Sequence, residues 1–149
     1  MKDPITFLTF SSTETEEIGQ RIARLIQSGD VLCLTGDLGA GKTTLVKGIA
    51  KEYTGINASE VTSPTFTYLN IYSGLHHLYH FDLYRLSSPE EFIQAGFLEF
   101  LSTKDICCIE WPDRLPSNLP LQKVSIHMEY LSLEQRKITF QRNYANELY

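Results

Sequence analysis

The stretch "GDLGAGKTT" (residues 36–44) follows the apolar run "VLCLT" (31–35) and opens into "KTTLVKGIAKEY" (42–53). A short apolar run of this kind reads as a buried strand, and the segment after it repeats apolar side chains at helical spacing. Leu45, Ile49 and Tyr53 are predicted to face inward. Between strand and helix stands Gly-x-x-x-x-Gly-Lys-Thr, from Gly36 to Thr43, the phosphate-cradling loop called Walker A. Gly36, Gly39 and Gly41 permit backbone conformations closed to other residues and a close approach to a ligand. Backbone amides from Asp37 through Leu38, Gly39, Ala40 and Gly41 to Thr44 are expected to point at phosphate oxygens, helped by the helix N-terminus. Lys42 is expected to reach the β- and γ-phosphates, and the Thr43 hydroxyl to bind Mg²⁺.

Upstream, "ITFLTF" (5–10) alternates like a strand. The next segment, 11–30, reads as a helix capped by Ser11, Ser12 or Thr13, with Glu14, Glu16 and Glu17 in its first turn. Downstream, a polar, turn-rich stretch leads to "TFTYLNIYS" (65–73) and "HHLYHFDLY" (76–84), two strands joined by a tight turn at "SGLHH". "SSPEEFIQAGFLEFL" (87–101) starts as a helix should, with Ser88 as cap and Pro89 at the first helical position; Gly96 is expected to interrupt it. "DICCIEW" (105–111) is an apolar strand ending in an acid, and "KVSIHMEYL" (123–131) with "RKITFQR" (136–142) forms a closing antiparallel pair. The fold predicted is α/β: three layers, a mixed sheet with an antiparallel portion and helices on both faces, in one domain spanning 1–149.

The 149 residues are 42% hydrophobic and 21% charged, as in a soluble globular chain. No apolar run approaches the roughly 20 residues that span a membrane. The start, "MKDPITFLTFSSTE", lacks the basic flank and apolar segment of a signal peptide, so a cytosolic location is expected. Cys33, Cys107 and Cys108 lie in apolar runs without metal or redox spacing and read as buried reduced thiols. A net charge of −5 with scattered bases argues against tight nucleic-acid binding by this chain alone.

Nucleotide hydrolysis also needs an acid on the metal side, usually at the end of a strand beside the loop's own. Asp82 in "YHFDLYR" and Glu110 in "ICCIEW" both qualify; each could instead be a strand-end carboxylate, capping or paired with Arg85 or Arg114. Thr65 in "SPTFTY" (63–68) could reach the metal or γ-phosphate as switch threonines do, or simply lead into a strand. Trp111 could stack on a base, lid the site or only pack. The four histidines suggest no metal centre, and His80 is placed to orient Asp82.

Together "GDLGAGKTT", "SPTFTY", "YHFDLYRL" followed by "PEEF", and "ICCIEWPDR" resemble, in order and spacing, the bacterial TsaE family over about residues 7–140. The resemblance implies a small P-loop ATPase needed for N6-threonylcarbamoyladenosine in tRNA. TsaB and TsaD make the modification from threonylcarbamoyl-adenylate; the family member docks on that pair and hydrolyses ATP, weakly when alone. It implies ATP or ADP with Mg²⁺ as ligands and tRNA met only through the complex. It assigns the metal-side acid to Glu110 and a water-positioning or catalytic role to Asp82, with Thr65 as the switch-like threonine and Lys42 in catalysis. It places Trp111, Ser12, Asp113 and Arg136 near the nucleotide, Ser12 through its backbone. The rival readings are a small-molecule P-loop kinase, whose arginine lid would have to come from "RLSSPEEF" or "WPDRLP", and a subunit that senses ATP without hydrolysing it. A GTPase would want an Asn-Lys-x-Asp base-reading motif, which the sequence lacks.

Overall fold

The computed structural model describes residues 4–37, 39–102 and 104–142. Strand β2 (Asp30–Thr35) is apolar on both faces because it runs in the middle of the sheet, flanked on both sides by parallel neighbours. The other strands are β1 (Ile5–Thr9), β3 (Leu69–Ser73), β4 (His77–Asp82), β5 (Ile106–Glu110), β6 (Gln122–Tyr130) and β7 (Arg136–Arg142). They form one seven-stranded sheet in the order β1-β7-β6-β2-β5-β4-β3. β6, β2, β5 and β4 are mutually parallel, while β7, β1 and β3 are antiparallel additions. The mixed sheet with an antiparallel portion is the one expected.

Helices α1 (Ser12–Leu25) and α2 (Lys42–Thr54) cover one face. Ile18, Ile22, Leu45, Val46 and Ile49 pack there on Leu32, Leu34, Val124 and Ile126. The two helices cross in direct backbone contact: a Cβ on Gly19 would overlap Leu45 O, and one on Gly48 would overlap Glu16 O. Ser11 is the cap of α1, its hydroxyl accepting from Glu14 N. The opposite face carries helix α3 (Pro89–Gln94) and a 3₁₀ segment, Phe97–Ser102. Val31, Phe81, Leu83, Phe92, Cys107 and Ile109 form the core of this layer. Cys107 and Cys108 lie on opposite faces, each within an apolar core, as adjacent strand residues must. Three layers result, the architecture of P-loop NTPases.

One expected element breaks where expected, and another comes out shorter. The helix over 87–101 stops at Gln94, Ser88 capping it as expected, because Gly96 turns left-handed with φ +79°. The chain continues as 3₁₀, whose three-residue period brings Phe97 and Phe100 round to the same side. Both rings meet Phe81, at 5.4 and 6.5 Å between centroids. The strand expected from 65 begins only at Leu69, because residues up to Tyr68 form a turn closed by Tyr68 N donating to Pro64 O at 2.8 Å.

Far from the glycine-rich loop, the fully buried Asp30 carboxylate at the start of β2 accepts from both terminal nitrogens of Arg142, at 2.7 and 2.8 Å. It also accepts from Gln122 Nε2 and Gln27 N, both at 2.6 Å. A buried charge is tolerated when it is saturated in this way.

Candidate functional site

The parallel register decides what meets what. Leu34 pairs with Glu110 across β2 and β5, and Asp82 pairs with Glu110 across β4 and β5. The carboxyl ends of three adjacent parallel strands therefore deliver the glycine-rich loop, Glu110 and Asp82 to one crevice, where open α/β sheets bind ligands. The sequence could nominate both acids but not place them side by side. Both side chains are buried.

Above these strand ends lies an open cavity of about 470 Å³. Gly39, Gly41, Lys42, Thr43 and Thr44 form one wall; Ser63, Thr65, Asp82, Tyr84 and Arg85 form another; Glu110, Trp111 and Arg136 complete it. α2 starts at Gly41, whose φ of 99° is left-handed, and no side chain caps the helix. Gly41, Lys42, Thr43 and Thr44 line the cavity, so the N-terminus of α2 opens onto it, which suits an anion. Gly36, with φ +140°, runs against Met128 O, where a Cβ would not fit.

Lys42 Nζ donates to Gly36 O at 2.6 Å and Asp37 O at 3.1 Å and lies 4.9 Å from the centre of the Trp111 ring. Burial pushes its pKa below the usual lysine value, against the opposing pull of Glu110, Asp82 and Asp37. Thr43 Oγ1 lies 3.5 Å from Glu110 Oε2, in line to donate. Asp82 divides its oxygens: Oδ1 accepts from Tyr84 N at 3.0 Å and Oδ2 from Ser63 Oγ at 3.1 Å. Ser63 Oγ is in turn 3.0 Å from Thr65 Oγ1, so the "SPTFTY" segment reaches Asp82 through Ser63.

His80 behaves differently from expectation. It shares a strand face with Asp82, yet its Nε2 meets Glu110 Oε2 at 2.7 Å on the neighbouring strand. The reason is register: His80 pairs with Cys108, so Glu110 is its diagonal neighbour. Neither acid pairs with Arg85 or Arg114. Arg85 lies over the Phe66 ring at 4.5 Å, and Arg114 binds Leu86 O and Asp113.

Arg136 spans two elements. Its Nε donates to Ala40 O at 2.9 Å and its Nη2 to Gly39 O at 3.3 Å, while Nη1 binds carbonyls of the β6–β7 turn. A smaller cavity of about 130 Å³ adjoins on that side, lined by Ser11, Ser12, Thr15, Gly41, Thr44, Leu133, Glu134 and Arg136. Ser12 and Arg136 therefore stand beside the loop. Asp113 does not line either cavity; it is exposed and paired with Arg114. Trp111 sits left-handed at φ 60° and packs on Tyr84 and over Lys42. Ala40 is buried beneath the loop, Gly36 and Asp37 line a shallow cavity beside Trp111, and Leu38 falls outside the described residues. Ser63, Tyr84 and Arg85 were not singled out as site residues from the sequence. Only the position of Tyr84 and Arg85 within two or three residues of Asp82 hinted at them.

The donor set beside the loop is a hydroxyl and a carboxylate, hard oxygen ligands of the kind Mg²⁺ accepts. Among the described residues no three His, Cys, Asp or Glu side chains gather as a cation cage. A metal here would take its remaining ligands from phosphate and water. Among the described residues no helix is long and apolar enough to cross a membrane.

The sequence profile described as "Threonylcarbamoyl adenosine biosynthesis protein TsaE" matches residues 9–138. The chain is 43% identical over 129 residues to the tRNA threonylcarbamoyladenosine biosynthesis protein TsaE of Treponema pallidum, covering 87% of this chain and 94% of that protein. It is 39% identical over 133 residues to the TsaE of Bacillus subtilis, covering 89% and 82%. A crystal structure of Bacillus subtilis YdiB superimposes with a TM-score of 0.72 at 30% identity, covering 98% of this chain and 90% of that one. With the profile spanning most of the sequence and the fold shared, the chain belongs to the TsaE family.

Proposed function

We propose that this chain is the ATPase subunit of the machinery that makes N6-threonylcarbamoyladenosine in tRNA. It binds ATP or ADP with Mg²⁺ and hydrolyses ATP when docked on TsaB and TsaD, meeting tRNA only through them. The observation that carries the reading is the convergence of the glycine-rich loop, Glu110 and Asp82 on adjacent parallel strand ends.

In this reading the α2 N-terminus and the loop amides hold the phosphates, and Lys42 trades the carbonyls of Gly36 and Asp37 for phosphate oxygens. Thr43 and Glu110 hold the Mg²⁺, which neutralises charge on the phosphate oxygens. Asp82, anchored by Tyr84 N and Ser63 Oγ, orients the attacking water; Thr65 closes over the γ-phosphate from the same segment. Arg136 holds the loop by two of its carbonyls, and the base lies toward Ser12 on the side of Thr44. The net charge of −5 suits a subunit that acts on tRNA through protein partners rather than through its own phosphate contacts.

The test is ATP hydrolysis by the chain alone and then with TsaB and TsaD from the same source. A low basal rate that rises strongly with the pair supports the proposal. A high rate unchanged by the pair, or phosphate transfer to a metabolite without it, turns the reading toward a free-standing hydrolase or kinase.

A further inference from the structure

We infer that Tyr72 and His80 form a positioning relay that ties the 62–65 segment to the metal-side carboxylate of Glu110. The inference rests on the nucleotide-site reading above and adds two residues that touch neither phosphate nor metal. His80 is fully buried and Tyr72 nearly so. His80 Nε2 meets Glu110 Oε2 at 2.7 Å, and its other nitrogen, Nδ1, faces the Tyr72 hydroxyl at 3.3 Å. Tyr72 in turn donates to Thr62 O at 3.0 Å and accepts from Thr62 N at 3.2 Å. Thr62 is next to Ser63, whose hydroxyl holds Asp82.

The chemistry of each group fixes the sense of the chain. An ionised carboxylate brings no proton, so Nε2 carries the hydrogen and donates to Glu110. In the neutral ring Nδ1 is then an acceptor. The Tyr72 hydroxyl has one proton and two acceptors in reach, Thr62 O and His80 Nδ1. With the segment docked, the proton goes to Thr62 O, the shorter contact. If the segment lifts, the same proton turns to Nδ1. That strengthens the hydrogen bond His80 gives to Glu110 and draws the same oxygen that faces Thr43 toward the ring. The position of the segment and the ligand quality of Glu110 Oε2 are thereby linked through two buried side chains. Buried partners that orient a metal ligand typically change metal affinity by roughly 10- to 100-fold when removed.

The test uses Tyr72→Phe, which keeps the ring and removes only the hydroxyl, with His80→Asn and His80→Gln as a pair. An Asn amide mimics Nδ1 and a Gln amide mimics Nε2, so each keeps one arm of the relay. Three quantities are read: ADP affinity in EDTA, the gain in ADP affinity on adding Mg²⁺, and hydrogen exchange at the Thr62 amide. Metal-free affinity is expected to stay within about twofold of wild type throughout. His80→Asn, which drops the Glu110 arm, is expected to cut the Mg²⁺-dependent gain by about tenfold, consistent with lost support for a metal ligand. His80→Gln and Tyr72→Phe, which keep that arm and break the link between Tyr72 and His80, are expected to retain most of the gain while Thr62 exchange no longer responds to Mg²⁺. If His80→Asn keeps the full Mg²⁺-dependent gain, or Thr62 exchange still responds to Mg²⁺ in His80→Gln, the relay is overturned and the nucleotide site stands. If wild type itself binds no nucleotide, the function reading fails. The relay is then decided in the free protein, where Glu110→Ala must raise Thr62 exchange if the chain of bonds is real and leave it unchanged if it is not.

Discussion

Replacing Lys42 with methionine separates the cost of the buried ammonium from its use. In the free protein Lys42 is buried, and burial holds its pKa below the usual lysine value. A lysine whose folded pKa lies below its unfolded value opposes folding wherever the unfolded chain is charged. The opposition is full below the folded pKa and fades as pH rises through the unfolded value. At neutral pH, Lys42→Met is therefore expected to leave the melting temperature of the free protein unchanged or raised, the Gly36 and Asp37 carbonyls turning to water. In the proposed complex the same change removes charge-assisted hydrogen bonds to phosphate, worth about 1.5–3 kcal/mol, or roughly 10- to 150-fold in Kd. Ligand at about 100 times Kd stabilises wild type by about 2.7 kcal/mol, a rise of about 5–11 °C for a chain of this size. With Kd weakened about 30-fold, the same concentration gives the variant about 0.9 kcal/mol, or about 2–4 °C. Thermal melts with and without Mg·ADP, followed by the fluorescence of the lone Trp111 above Lys42, measure both quantities. An undiminished ligand-induced rise in the variant would refute the placement of Lys42 on the phosphates. A free variant that melts well below wild type would refute the claim that its ammonium is a net burden.

Asp82→Ala is expected to keep Mg·ADP affinity within a few-fold while abolishing partner-stimulated ATP turnover; surviving turnover would make the chain's acid a structural one. Arg136→Ala frees the Gly39 and Ala40 carbonyls and is expected to weaken nucleotide binding about tenfold, with the loop amides exchanging faster. Arg142→Met strands the buried Asp30 carboxylate and is expected to cost about 3–5 kcal/mol, a fall of about 6–20 °C in thermal melts. Burial pushes the Cys33 thiol up to about 11 and Cys107 up to about 12. Alkylation of the folded protein at pH 8 is thus expected to run about 100-fold slower than for an ordinary thiol, read by mass spectrometry.

How much of this was legible before folding depends on whether a feature is local. The loop was, because four residue identities at fixed spacing between a strand and a helix form a recognisable motif within eight positions. The caps at Ser11 and Ser88 and the break at Gly96 were legible for the same reason. The partner of His80 was not. Strand periodicity puts His80 on the face of Asp82, but only the pairing of β4 with β5, set by residues 25 or more positions apart, makes Glu110 its diagonal neighbour. The shortened strand before Leu69 was misread because "TFTYLN" has strand composition throughout, while Pro64 and the left-handed Tyr68 impose a turn on its first half. Asp113 stands one turn past Glu110 in sequence, yet the 3₁₀ turn Pro112–Arg114 carries it out to solvent.

The acidic total of the chain hides a division of labour among its cations that only the structure displays. Arg24, Arg114, Lys137 and Arg142 each contact a carboxylate. The cations around the larger cavity are held in another way. Lys42 rests on two carbonyls and the Trp111 ring, Arg85 on the Phe66 ring, and Arg136 on loop carbonyls and the Tyr130 ring. Carbonyls and rings fix a cation's position without neutralising it. Three positive charges and a helix N-terminus are thereby kept available around a crevice that also holds two carboxylates. A polyanion alone would be drawn to the cations and repelled by the carboxylates. A divalent cation carried with it turns the carboxylates from a repulsion into ligands, and the same crevice then grips both. On the proposed reading, this is why the two acids stand beside the glycine-rich loop, and how a protein of net charge −5 would hold a nucleotide.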